Sequence, residues 1–302
     1  MSVPAGSLAL ARATLFVGTQ AKTAYVRAFD LGGRELEVGF SFRDAAAGRS
    51  AVAGLTVDRD HTLWVADLPA DRLRRFSVFG REIGGLGPFG GGPVLLPGSL
   101  RRPLDVEALE DELVIACAGE SLHAVQRFDA ELGFRGRCLA LGDPTQPFRG
   151  VTRVAAAGGR LFVAEALARR VQVFRGDEFH FAFRLGDARG RQLEPSAVAV
   201  LEDGRALVAC RSPESVLLLV DAGGRALGVL ARHGEGEGEV HEPCDVVVER
   251  GEEDRRARVF VLDRDGLRLQ VLTLEGRCLG AIALAAPTTT PARERRKKKG
   301  GR

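Results

Sequence analysis

The sequence of 302 residues predicts an all-β fold: a six-bladed β-propeller of four-stranded antiparallel blades, followed by a disordered basic C-terminal tail. Three observations predict it. A unit of about 49 residues recurs six times, each unit holds short apolar stretches separated by turn residues, and no amphipathic helical stretch lies between them. A repeat of this length with four strands is typical of a propeller, whose blades bury their faces against their neighbours.

The repeat unit is most complete in its second copy. Residues 51–57 alternate as a strand, 58–61 form a turn, and 63–67 form a second strand that ends in Val-Ala-Asp. A third strand starts with Arg at 72–76, and a fourth follows near 82–86. The last position of Val-Ala-Asp marks the register of the six units. It is occupied by Gly18, Asp67, Cys117, Glu165, Cys210 and Asp263, at intervals of 49, 50, 48, 45 and 53 residues.

An acid and an arginine five residues apart recur in three units. The expected pairs are Asp67 with Arg72, Glu165 with Arg170, and Asp263 with Arg268. Opposite charges across a hairpin stabilise it by a few tenths of a kcal/mol to about 1 kcal/mol, so we assign these pairs to architecture and not to catalysis. Four Gly-Gly pairs are expected in hairpin turns, at positions 32–33, 84–85, 158–159 and 223–224.

These units resemble the NHL-repeat family, whose pattern has Pro and Gly before the inner strand, then Val-Ala-Asp, then Arg-Val-Gln-Val-Phe. Residues 170–174 match the last element letter for letter, and 242–248 fit the start of an inner strand. The resemblance covers almost the whole chain and implies a propeller. It implies no single function, because such propellers serve as enzymes, RNA binders and protein scaffolds.

The domain organisation that we predict is one propeller over residues 1–287 and a tail over 288–302. Residues 7–12 are expected to form the inner strand of the first blade, and 277–286 the outer strand of the sixth. The ring would then close by packing of the first blade on the last, with no exchange of strands between the termini.

Charge and composition exclude several classes of protein. The ten C-terminal residues hold seven Lys or Arg against one Glu, so the net charge of +3 leaves about −3 for residues 1–292.

No apolar run approaches the roughly 20 residues of a membrane span. The N-terminus lacks the basic segment of a secretory signal. Five cysteines without a C-x-x-C pair suggest neither a disulfide framework nor a zinc knuckle. A cytoplasmic, monomeric protein is expected.

Metal and cofactor chemistry is not predicted. In the related lyase that cleaves peptidyl-hydroxyglycine, the resemblance would place zinc-binding histidines at positions that are Leu104, Ser196 and Cys244 here. A gluconolactonase-like propeller coordinates its metal with acidic residues and Asn, and this chain contains no Asn. We therefore expect no bound metal and no cofactor.

One charged set is not explained by the repeat. Two residues after the inner-strand proline, or its equivalent, stand Asp105, Arg153 and Asp245. Inner strands line the channel of a propeller, so these three side chains are expected to converge near one mouth and to form a ligand-binding site. The alternative is a water-filled channel in which the charges pair with one another.

A second candidate contact lies in the tail, where clustered bases bind nucleic acid or other anions. Its members are Arg295, Arg296, Lys297, Lys298 and Lys299. For the whole chain we expect a non-enzymatic scaffold that binds a protein or peptide partner through its loop-bearing face. The alternatives are a metal-assisted lyase or hydrolase at the channel mouth and an RNA-binding propeller face.

Overall fold

The chain folds into six four-stranded sheets of consecutive antiparallel strands in the computed structural model, which describes residues 6–19, 23–87, 96–249, 257–263 and 267–284. The predicted all-β, six-bladed propeller is confirmed. Within the described ranges, no helix is long and apolar enough to cross a membrane. The residues of the predicted tail, 288–302, lie outside these ranges.

Each blade runs from an inner strand at the channel to an outer strand at the rim. Blade 1 has β1 (Gly6–Ala11), β2 (Thr14–Thr19), β3 (Ala24–Asp30) and β4 (Glu35–Phe42); blade 2 has β5 (Val52–Val57), β6 (Thr62–Asp67), β7 (Arg72–Ser77) and β8 (Glu82–Leu86). Blade 3 has β9 (Pro103–Ala108), β10 (Glu112–Cys117), β12 (Val125–Asp129) and β13 (Phe134–Arg137). A small extra sheet pairs β11 (Glu120–Ser121) with β14 (Phe148–Arg149).

The other three blades follow the same order. Blade 4 has β15 (Val151–Ala157), β16 (Arg160–Glu165), β17 (Arg170–Arg175) and β18 (Glu178–Phe183); blade 5 has β19 (Glu194–Val200), β20 (Ala206–Ser212), β21 (Val216–Val220) and β22 (Ala226–Arg232). Blade 6 has β23 (Asp245–Val248), β24 (Arg258–Asp263), β25 (Arg268–Thr273) and β26 (Cys278–Ala283). Short 3₁₀ turns occupy Leu68–Ala70 and Ala140–Gly142.

Burial follows the position of each strand in its blade. The second strands are apolar and buried on both faces, as in β16, because each blade is covered by a neighbour on either side. The outer strand β18 alternates between exposed and half-buried residues, since one of its faces meets solvent. The six apolar clusters each lie between two adjacent blades, so the core is distributed around the ring.

The ring closes by packing of blade 1 on blade 6. Leu8 and Phe29 of blade 1 share a buried cluster with Phe260 and Leu262 of blade 6. In the described part of the chain, β1 pairs within blade 1 and β26 within blade 6. For the strands that the structure describes, the expected closure without strand exchange is confirmed.

The two ends of the ring differ, and we name them by their connections. The loop face carries the connections between blades and the turns between second and third strands. The turn face carries the turns between first and second and between third and fourth strands. Three of the four Gly-Gly pairs lie in such turns, but Gly84 and Gly85 lie inside β8. That turn prediction is wrong, because Gly80, at φ +78°, forms the turn instead.

Where the repeat has an acid, in blades 2, 4 and 6, that acid holds the loop that leads into the inner strand. In blade 4, Glu165 is fully buried, and its Oε1 accepts the backbone N–H of Arg149 at 2.7 Å. Its Oε2 accepts from Arg170 at 2.5 Å and from Gln172 at 2.6 Å. Asp263 repeats these contacts with Arg268 and the N–H of His241. The architectural interpretation of these acids is therefore supported.

The expected pair of Asp67 with Arg72 is wrong. Asp67 instead pairs with Arg74 at 2.8 Å, and the nearest carboxylate to Arg72 is Asp44 at 3.6 Å. Arg74 stands where blades 4 and 6 have glutamine, and its guanidinium is buried. A buried cation must be neutralised, so Arg74 takes Asp67 together with Asp44 at 2.5 Å.

The cysteines are small buried residues, as the repeat predicts. Four of them are fully buried, all five are free, and Cys278 is half-buried. Burial raises the pKa of Cys117, Cys138, Cys210 and Cys244 to about 12. These four thiols are therefore unreactive at neutral pH.

We predict that Glu165→Ala destabilises the fold by about 2–4 kcal/mol, because it leaves the partly buried guanidinium of Arg170, the buried amide of Gln172 and a loop N–H without their acceptor. Glu178→Ala, at an exposed position of β18 in the same blade, is the control and should change the free energy of unfolding by less than about 0.5 kcal/mol. Urea unfolding measures both variants. Equal effects of the two substitutions would contradict the assigned role of Glu165.

Candidate functional site: the central channel

The charged set identified from the sequence lies at one level of the channel. Asp105, Arg153 and Asp245 pair across their blades with Ala116, Ala164 and Leu262, which are equivalent positions of the second strands. The same level is completed by Leu8, Gly54 and Ala197. We call these six residues the first channel ring. It lies near the starts of the inner strands, toward the loop face.

Arg153 crosses the channel. From blade 4 its Nη2 donates to the carbonyl oxygen of Gly6 in blade 1 at 2.7 Å, and its Nε lies 3.2 Å from Asp245 Oδ1 in blade 6. Nη1 donates to its neighbour Thr152 O at 3.1 Å. The side chain is 2% exposed, so the arginine closes the channel at this level.

Asp245 joins the last blade to the first. Its Oδ2 accepts the hydroxyl of Ser7 at 2.8 Å and the backbone N–H of Leu8 at 2.7 Å. Its Oδ1 faces Arg153 and also accepts the N–H of Val246. Both carboxylate oxygens are thus used within the protein.

Asp105 links blades 3 and 4 in the same way, since its Oδ2 accepts the N–H of Val154 at 2.8 Å. On its other side it packs against Gly54, where a Cβ would come within 2.4 Å of the Asp105 Cα. Any larger residue at Gly54 would therefore collide with blade 3.

Burial sets the ionisation of this ring. It raises the pKa of Asp105 to about 7; the charge of Arg153 opposes this rise, and the charge of Asp245 adds to it. Burial disfavours the cation at Arg153, but the two carboxylates more than compensate, and the pKa of Arg153 is raised. At neutral pH the ring therefore holds one ion pair and a carboxyl group near its titration midpoint.

Below the first channel ring, the inner strands enclose a cavity of about 330 Å³. Its lining residues are buried at the ring and become half-exposed toward Val248, while Arg12 at the far end is exposed. The cavity therefore opens on the turn face and is closed by Arg153 toward the loop face.

Hydroxyl residues beside the ring were missed by the sequence reasoning. Thr152 Oγ1 lies 3.2 Å from Pro195 O, and Ser196 Oγ lies 2.7 Å from Pro243 O, each in the next blade. With Ser7, they place a hydroxyl residue directly before the ring position in blades 1, 4 and 5. That recurrence is visible in the sequence once the register is known.

The remaining candidate residues give no comparable site. The tail residues 295–299 lie outside the described ranges. His233 and His241 lie in the connection between blades 5 and 6, with their ring centroids 5.3 Å apart. Across the described residues, no three side chains of His, Cys, Asp or Glu form a group suited to a metal ion.

The comparisons with known proteins support the fold. A crystal structure of virginiamycin B lyase from Staphylococcus aureus is similar, with a TM-score of 0.59 over 95% of this chain and 86% of that one, at 10% sequence identity. At this identity the likeness concerns the fold alone. No protein-family model matches the chain, and no curated protein sequence matches it. Membership of the NHL-repeat family therefore stays a prediction.

We predict that Asp105 makes the fold less stable as pH rises through 7. Its folded pKa of about 7 exceeds the ordinary value of 3.8, so between these pH values the folded state holds a proton that the unfolded chain has released. Stability from this group is thus greatest at the acid end and falls by on the order of 2 kcal/mol between about pH 5 and 8.

Asp105→Asn removes this pH-dependent contribution to the free energy of unfolding, whereas Asp60→Asn, at an exposed turn position, keeps it. Urea unfolding of all three proteins at the two pH values provides the measurement. The same pH dependence in Asp105→Asn and the parent protein would refute the buried-carboxyl assignment.

Proposed function

We propose that this chain is a non-enzymatic scaffold that binds a protein or peptide partner through the loop face. The observation that carries this proposal is the backbone of Leu141. Leu141 has a φ of +55°, in the left-handed region that is costly for a bulky residue, and its side chain is 39% exposed. Strained residues that gain no burial are a recognised mark of functional sites.

The strain at Leu141 is clearest against the other blades. A glutamine of the third strand accepts a backbone N–H from the incoming loop in blades 3, 4 and 6. The donors are Gly98, Leu141 and Gly238, all at positive φ. Two of the three donors are glycine, which adopts this conformation without penalty. In blade 4 an exposed leucine stands there at a cost on the order of 1 kcal/mol.

Other leucines extend the apolar character of this face. Leu96, Leu167 and Leu267 are 60%, 52% and 59% exposed, on a connection between blades and on two turns between second and third strands. Large exposed apolar side chains on loops are typical of protein-binding surfaces. They support a partner that contributes apolar side chains of its own.

A lyase or hydrolase at the channel is the alternative, and the Asp105 carboxyl near its titration midpoint favours it. The virginiamycin B lyase neighbour has a lyase name, but at 10% identity it supports the fold only. Against an enzyme, Asp245 and Arg153 are used in holding the blades together. We therefore prefer the scaffold, in a reducing cytoplasmic setting. Nucleic-acid contact through the basic tail residues stays a separate proposal.

Leu141→Gly tests the scaffold proposal, because it introduces the residue that blades 3 and 6 already carry. We expect the free energy of unfolding to stay within about 1 kcal/mol of the parent, since relief of strain offsets the entropy of glycine. A protein partner recovered from the native cell after nuclease treatment, then purified, should bind Leu141→Gly at least tenfold more weakly.

Leu227→Ala is the control, because Leu227 is 54% exposed on the outer strand β22 and should not affect binding. Equal binding by Leu141→Gly and the parent would overturn the assigned surface. A loss of all retained material on nuclease treatment would favour RNA binding instead.

A further inference from the structure

We propose that a segment of the protein partner lies across the mouth of the channel on the loop face, with an acidic side chain paired to Arg102 and a basic side chain paired to Glu242. This proposal deepens the scaffold proposal and rests on it, because it states the chemistry of the partner. The two residues occupy equivalent places, each directly before the proline that leads into an inner strand, in blades 3 and 6. In a six-bladed ring these two blades lie on opposite sides of the channel.

Both residues have a left-handed backbone, which glycine adopts without penalty. The φ of Arg102 is +49° and that of Glu242 is +52°, whereas blade 4 has Gly150 at the same place, with a φ of +70°. The carbonyl oxygen of Arg102 accepts the N–H of Ala118 at 3.0 Å. That of Gly150 accepts the N–H of Ala166 at 2.9 Å, so the places are equivalent in their backbone contacts. Exposed charged residues thus stand where the fold accepts glycine, and such strained positions cluster at binding sites.

The backbone of each residue is held in place, but its charged group is free. Arg102 N donates to Asp71 Oδ1 at 2.6 Å, and Glu242 N donates to Ser215 Oγ at 2.9 Å. Among the residues that the structure describes, neither the guanidinium of Arg102 nor the carboxylate of Glu242 has a hydrogen-bond or ion-pair partner. Both side chains therefore start from fixed points and present an uncompensated charge to a ligand.

The two charges determine what the partner must carry. The guanidinium of Arg102 is a fork of donors that suits a carboxylate, and Glu242 accepts hydrogen bonds from an ammonium or a guanidinium group. The exposed Arg169 of blade 4 does not compete, because it pairs with Glu194 at 3.0 Å. Complementary charges of this kind select one partner, and one direction of binding, over others.

The width of the channel sets the spacing of the two charges in the partner. One side chain, Arg153, spans the likewise opposed blades 4 and 1 and closes the channel below the mouth. The partner segment therefore lies over the mouth and does not enter the channel. A stretch of four to six extended residues, about 13–20 Å at roughly 3.3 Å per residue, reaches from one side to the other. We expect the acid and the base of the partner to stand that far apart.

Selection from a random peptide library on the full chain tests this expectation. Peptides selected on the parent protein should carry an acid and a base about four to six residues apart. A synthetic copy of such a peptide should bind the double variant Arg102→Gly, Glu242→Gly about tenfold more weakly. Glycine suits both backbones, so this variant keeps the fold. Arg102→Glu should instead select peptides with a base at both positions.

Arg135→Glu is the matched control, because Arg135 is 66% exposed on the outer strand β13 of the same blade and should leave the selection unchanged. Selected peptides that depend on Leu141 but bind the double variant as tightly as the parent would overturn this proposal and leave the scaffold proposal standing. Selected peptides without the spaced acid and base, or an unchanged selection on Arg102→Glu, would overturn it as well. A library that yields no peptide bound to the loop face would overturn both proposals.

Discussion

A single arginine that crosses the channel is the contact on which the closure of this ring depends most. Arg153 leaves blade 4, donates to Gly6 in blade 1 and faces Asp245 in blade 6, which itself binds the N–H of Leu8. A buried guanidinium is tolerable only with such partners, because its desolvation cost is several kcal/mol. The seam between first and last blades is therefore fixed by charge-assisted hydrogen bonds in addition to apolar packing.

A second, repeated device fixes the incoming loops of blades 4 and 6. The buried acids of blades 4 and 6 hold the incoming loop by its backbone, and an arginine and a glutamine of the third strand hold the acid. The glutamine in turn receives a further loop N–H, at Leu141 in blade 4. Since the loops are fixed in this way, exposed side chains on the loop face have defined positions, which is what a binding surface needs.

The repeat predicted the number of blades, the strand order and the mode of closure, because spacing and alternation are local properties of the chain. Which arginine pairs with each repeat acid was less predictable. Asp67 prefers Arg74 to Arg72 since Arg74 is the buried cation, and burial cannot be read from the five-residue spacing. The strand register predicted that Asp105, Arg153 and Asp245 lie at one level of the channel. The contact of Arg153 with Gly6 was not predictable, because it depends on distances across the channel. Its ligand-binding role stays a prediction.

A double-mutant cycle between Arg153 and Asp245 tests the seam most directly. Arg153→Met, Asp245→Asn and the double variant would be compared with the parent protein by urea unfolding. If the two side chains close the ring together, each single substitution is strongly destabilising and the pair shows a coupling energy of about 2 kcal/mol or more. Effects that add to within about 0.5 kcal/mol would show that the two residues act independently, and would contradict this account.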